Sequence, residues 1–172
     1  MRHFKTEAIV LKKKNLLNRD NIIILFTHEK GKIGVFAKGI KKITSRRLPH
    51  IQTGNIIEAL IYKKQDRFYL QETKLISHLI EIKKNSEKTH DLYFFLFILD
   101  RLLPENQKEE PVYHDFKRFI SQLAKKEDKS ILNQHLNKLL KSLGYIKEDL
   151  DFFEIKKTIE EIIGEKIPEF IL

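Results

Sequence analysis

At Leu79 the hydrophobic period of this chain of 172 residues changes from two to about 3.6, which dictates strands before that point and helices after it. Before it, β-forming runs cover residues 4–13, 21–28, 32–40, a segment within 51–62, and 67–75, separated by turn-rich clusters such as Glu29-Lys30-Gly31-Lys32 and Lys63-Lys64-Gln65-Asp66. After it, apolar stripes at helical spacing cover residues 87–103, 112–124, 130–143 and 151–163, with a short helix or turn over 79–84. Pro111 opens one helix, Gly144 and Gly164 close two others, and Asp151 with Glu154 has the spacing of a capping box. Leu92, Phe95, Leu96, Leu99, Leu102 and Leu103, widened by Phe94, Phe97 and Ile98, make the helix over 87–103 central. The chain is therefore expected to be α+β, with a five-stranded β-barrel over 1–78 and an all-helical bundle over 79–172. Among five-stranded barrels, the OB-fold is the one most used on single-stranded nucleic acid. A Tudor- or SH3-like barrel is the alternative that periodicity leaves open.

Charge separates the halves as sharply as periodicity does. Residues 1–80 hold 17 Lys/Arg and 6 Asp/Glu, a net of +11, whereas residues 81–172 hold 16 and 18, a net of −2. Lysine used only to solvate surfaces would load both halves. A basic domain joined to a near-neutral one points to a polyanion on the first half and a different partner on the second. The excess concentrates in Lys30–Ile57, which contains seven basic residues and no acid.

Alternation sorts the third strand of that stretch into two faces. Ile33, Val35 and Ala37 point one way; Lys32, Gly34, Phe36 and Lys38 point the other, with a glycine that permits close approach. Phe36 is placed to stack a nucleobase, its alternative being packing against a neighbouring strand. Lys41, Lys42, Arg46 and Arg47 follow on a polar loop expected to be mobile, where the arginines suit bidentate phosphate contacts and the alternative is a solvated loop. Tyr62, Phe68 and Tyr69 are read as core, the usual place for strand aromatics.

Other chemistries lack their residues. The chain has no cysteine, which excludes disulfides and thiolate metal sites and fits a reducing cytoplasm. No two of the histidines at 3, 28, 50, 78, 90, 114 and 135 stand three or four apart, so there is no local metal-binding pair. The glycines of GKIGVFAKG do not have phosphate-loop spacing, and no G-x-S-x-G occurs. No catalytic constellation, cofactor motif or metal site is predicted. The N-terminus does not read as a signal peptide, and the longest apolar runs, Ile22–Phe26 and Tyr93–Leu99, are far short of a bilayer span.

TEAIVLKKKN, LFTHEKGKIGVFAKGIKK, the following TSR, and FLFILDRLLPE resemble the bacterial recombination mediator family RecO, with LLKSLGY at 139–145 as a last landmark. The resemblance implies an OB-fold on a helical domain and no enzymatic turnover. It implies binding of single- and double-stranded DNA, annealing of complementary strands, and assistance to RecA loading together with RecR. Docking of the acidic tail of single-strand binding protein is implied through the C-terminal half. A bacterial, cytoplasmic, nucleoid-associated location also follows. Carried over by position, the DNA-binding residues are Lys5, Lys32, Lys38, Lys41, Lys42, Arg46 and Arg47. The chain departs from the family in lacking the four-cysteine zinc motif that many members carry after the LGY landmark, and in being shorter. Two other readings compete with a DNA mediator: an RNA-binding or ribosome-associated OB module, and an adaptor whose basic barrel meets an acidic protein.

Overall fold

A computed structural model describes residues 2–16, 21–38, 47–125 and 128–168. Two compact units emerge: Met1–Ile80 with Leu103–Glu109, and Glu81–Leu102 with Glu110–Leu172. The first is built on five strands: β1 (Arg2–Asn15), β2 (Asn21–Thr27), β3 (Gly31–Ala37), β4 (Ile56–Lys64) and β5 (Arg67–Ser77). They close into a barrel in the order β1-β2-β3-β5-β4. β1 serves two partners. Its first half pairs antiparallel with β4, from Arg2 opposite Lys63 to Ile9 opposite Ile56. Its second half pairs with β2, and a bulge between Val10 and Lys12 marks the change of direction. A short parallel contact, Val35 with Phe68 and Phe36 with Tyr69, joins β3 to β5. This order is OB-like and decides against the SH3-like alternative.

The two-residue period explains the barrel's filling. Ala8, Val10, Ile23, Leu25, Ile33, Val35, Ala37, Ile57, Ala59, Ile61 and Leu70 form one buried cluster, with Phe4, Phe68 and Leu75 packed against it. Segment 39–46 of the expected mobile loop lies outside the described residues. Its continuation is held in place: Ile51 is fully buried in the barrel cluster and Leu48 packs beside it. The Asn55 side chain donates to the carbonyls of Pro49 and His50. At the β2–β3 turn, Gly31 has φ +66°, and the Thr27 hydroxyl donates to its carbonyl while accepting from the Lys30 N–H. A Cβ on Gly31 would stand 1.7 Å from the carbonyl oxygen of Gln107, so only glycine fits beneath segment 103–109.

The second unit is helical, and its helices are α1 (Ile80–Lys83), α2 (Ser86–Leu102), α3 (Glu110–Lys125), α4 (Ser130–Ser142) and α5 (Phe152–Ile163). α2 buries Leu92, Phe94, Phe95, Leu96, Ile98, Leu99 and Leu102, the broad apolar coverage expected of a central helix. Phe95 stacks on Phe119 of α3 at 4.6 Å. The buried His135 of α4 bonds Asp115 through Nδ1 at 2.6 Å and Gln122 through Nε2 at 3.1 Å. The capping box of Asp151 and Glu154 opens α5, and Gly164 closes it in the left-handed conformation. No helix among the described residues is long and apolar enough to cross a membrane.

Candidate nucleic-acid interface

Side chains that alternate with the barrel core point outward, and on four adjoining strands the outward position is a ring. His3 of β1 lies opposite Tyr62 of β4, Tyr62 opposite Tyr69 of β5, and Tyr69 opposite Phe36 of β3. Register alone therefore aligns four rings across the strands. Centroids are 5.7 Å apart for His3 and Tyr62, 5.1 Å for Tyr62 and Tyr69, and 5.6 Å for Tyr69 and Phe36. The two tyrosine rings are stacked with nearly parallel planes, at 12°. Three strand spacings give the row a length of about 14 Å. His3 is exposed and the other three rings are half-buried, so each keeps part of its surface in solvent.

Cations stand over this row. The Lys38 ammonium is 5.3 Å from the Tyr69 centroid, and the Arg67 guanidinium is 5.5 Å from that of Phe36. Both contacts lie within cation–π range. Lys5, on the same outward face of β1, pairs with Glu58 at 2.8 Å and remains largely exposed. A solvated pair of this kind contributes little and exchanges readily for a phosphate. Rings that accept bases, beside cations that neutralise phosphates, are what binding of a single strand without sequence preference requires.

Several expected site residues behave differently. Phe36 and Lys38 belong to the row. Lys32 has the expected strand parity but is only 8% exposed. Segment 103–109 runs beside it: Glu105 makes a parallel bridge to Lys32, and the Asn106 N–H donates to the Lys32 carbonyl at 2.8 Å. Lys32 is thus not an open-face cation beside Phe36. Arg47 is not a free loop fork either. Its Nη1 donates to the carbonyls of Leu70 and Gln71, and its Nη2 to that of Lys38, at 2.8–3.3 Å. The guanidinium ties the end of β3 to β5. At Gly34 a Cβ would meet the chain's own Ile22 and Ile24 at 3.6 Å, ordinary contact distance, so the position does not demand glycine. Lys41, Lys42 and Arg46 lie outside the described residues.

The sequence reading missed His3, Tyr62, Tyr69 and Arg67. Tyr62 shares its parity with the polar Glu58, a signal that it points outward; Tyr69 shares its own with Arg67 and Gln71. Only Phe68, of the three strand aromatics read as core, packs against the barrel cluster.

The closed OB-like order, with an aromatic and cationic outer face, defines an OB-barrel protein. Residues 1–79 match the family model described as recombination protein O N terminal. Along its length the chain is similar to the DNA repair protein RecO of Caldanaerobacter subterraneus subsp. tengcongensis, 28% identical over 89% of this chain and 67% of the relative. It is also similar to that of Thermoanaerobacter sp., 31% identical over 86% of this chain and 60% of the relative, and to that of Clostridium novyi, 31% identical over 83% and 56%. The chain is thus similar to the RecO family, whose N-terminal model its residues 1–79 match, and it spans between 56% and 67% of the length of these relatives.

Proposed function

We propose that this protein is a non-enzymatic DNA-binding mediator of recombinational repair. The barrel holds single strands along the His3–Tyr62–Tyr69–Phe36 row, with Lys5, Lys38 and Arg67 on the phosphates. Complementary strands held in this way anneal, and together with RecR the protein assists RecA loading on strands covered by single-strand binding protein. Lys41, Lys42 and Arg46 add positive charge from the segment that follows β3 in sequence, and duplex DNA is a second ligand of the same basic unit. The reaction takes place in the bacterial cytoplasm.

One observation carries this reading: four rings in register with cations over two of them, on the unit that holds the chain's positive excess. The relatives' name, DNA repair protein RecO, supplies the biological setting. ATP-independent annealing of complementary oligonucleotides, with and without the cognate single-strand binding protein, tests it. Joint replacement of Lys38, Lys41, Arg46 and Arg67 by Ala is expected to abolish annealing at moderate salt. Unchanged annealing would remove the site assignment. The row by itself accepts RNA as readily as DNA, because stacking does not read the sugar. Competition of single-stranded DNA against RNA separates the two, and a strong RNA preference would replace the repair reading.

A further inference from the structure

The barrel's rim carries a cavity of about 670 Å³ beside the aromatic row, sharing Lys5 with it, and its described lining residues all belong to the first unit. Its floor is aromatic: Phe4 and Phe68 meet edge to face at 5.9 Å and both pack on the barrel core. Its sides bring together Lys5, Lys30 and Lys63 from β1, the β2–β3 turn and β4. Lys63 stands 5.9 Å from the Phe68 ring. Two carboxylates line the same rim: Asp66, fully exposed at the hairpin tip, is 3.8 Å from Lys63, and Glu29 turns to His28 at 3.1 Å, while Lys5 pairs outside the cavity with Glu58 at 2.8 Å. These solvated pairs hold the cations weakly, and Lys30 is the lysine for which no carboxylate of the cavity lies at ion-pair distance among the described residues.

The remaining wall is Asn106, at φ +60°, in the left-handed region that asparagine enters more readily than most residues. Two contacts fix that wall: the Asn106 N–H on the Lys32 carbonyl, and the Gln107 carbonyl seated directly over Gly31. A wall fixed by two backbone contacts, beside a cavity of ligand size, makes a preformed site.

We propose that this cavity takes the terminal nucleotide of a DNA strand, base against Phe68 and terminal phosphate among Lys5, Lys30 and Lys63. The inference rests on the DNA-binding reading of the barrel and adds a site to it. Flat apolar area next to clustered ammonium groups is the complement of one nucleotide. The floored cavity suits a chain end, whereas the open row suits a chain middle. Continuity is built into the strands: Lys63 follows Tyr62, and Phe68 precedes Tyr69, with neighbouring side chains on opposite faces. A strand on the row therefore reaches the cavity by passing over the β4–β5 hairpin end.

The test uses the full chain and short oligodeoxynucleotides carrying 2-aminopurine internally or at one end, with a phosphate or a hydroxyl on that end. A terminal phosphate is expected to tighten binding on the order of tenfold over a hydroxyl. Lys30→Ala removes that preference and leaves the internal signal unchanged. Phe68→Leu, which keeps the core filled, removes quenching of the terminal probe only. Equal affinity for phosphate and hydroxyl ends, or equal loss of terminal and internal signals in Lys30→Ala, overturns the proposal while leaving DNA binding in place. If free dAMP displaces the terminal contact as effectively as a phosphorylated strand does, the cavity is a free-nucleotide site and strand-end recognition is refuted. Absence of binding to every oligonucleotide instead refutes the DNA-binding reading itself, and this proposal with it.

Discussion

Tyr69 sits at the middle of the ring row, so Tyr69→Leu is the most informative single change. The ring touches Tyr62 at 5.1 Å and Phe36 at 5.6 Å, and it carries the Lys38 ammonium at 5.3 Å. Leucine keeps apolar cover on the barrel wall and removes the π face. Loss of the ring–ring contacts costs stability of about 1 kcal/mol, which a urea titration resolves as a lower midpoint at constant slope. Loss of one stacked base costs roughly 1–3 kcal/mol of binding, or about 5- to 150-fold in Kd. No charge is removed, so the plot of log K against log salt should shift down without changing slope. Arg67→Ala should do the reverse on that second axis, reducing the slope by about 0.7 for one lost phosphate contact on a single strand. The measurement is fluorescence anisotropy of a labelled oligonucleotide across a salt series, with folding checked on the same samples. If Tyr69→Leu stays folded and binds within twofold of the wild type, the row does not stack bases. If instead Tyr69→Leu changes the slope, its effect runs through Lys38 and the assignment of roles is wrong.

Three other outcomes follow from the geometry. Gly31→Ala should lose roughly 3 kcal/mol or more in a denaturant titration, because the left-handed φ and the Gln107 carbonyl both reject a Cβ, whereas Gly34→Ala should lose less than about 1 kcal/mol. Arg47→Lys keeps the charge but not the fork; it should lower stability by about 1–2 kcal/mol while leaving the salt slope of DNA binding unchanged, and the opposite pattern would restore Arg47 as a phosphate ligand. Burial raises the Asp91 carboxyl above its usual range, more than the opposing contact with His90 lowers it. A raised folded-state value favours folding below the unfolded value and loses that contribution as pH rises through the folded one, so ionised Asp91 is a burden at neutral pH. Asp91→Asn should raise the thermal midpoint at pH 7 by about 1–2 °C and by nothing near pH 3, as calorimetry can check.

Wherever a physical rule acts over a few residues, the sequence was a sufficient guide. Alternation in β3 separates Ile33, Val35 and Ala37 from Phe36 and Lys38 without reference to any other strand. The Asp151–Glu154 cap needs only its own turn. Failures arise where the deciding partner is far away along the chain. Lys32 loses its exposure to residues 105 and 106, and Arg47 finds its carbonyls on a strand more than twenty residues later. The tyrosine row is a property of register among four strands, which no single strand encodes. Rating strand aromatics by type, as core formers, outweighed the parity that Tyr62 and Tyr69 displayed.

The division of β1 between two partners bears on how the barrel comes into being. Its contacts with β2 and those of β2 with β3 are a local meander, available as soon as the first 37 residues exist. Its contacts with β4 join residues 47 to 61 positions apart, and their loop-closure entropy must be met before any of those hydrogen bonds contributes. During synthesis the first half of β1 therefore waits as an unpaired edge while the acid-free stretch from Lys30 to Ile57 emerges. The exposed Lys5 is a charge on that waiting half itself, of the kind that discourages edges from pairing with one another.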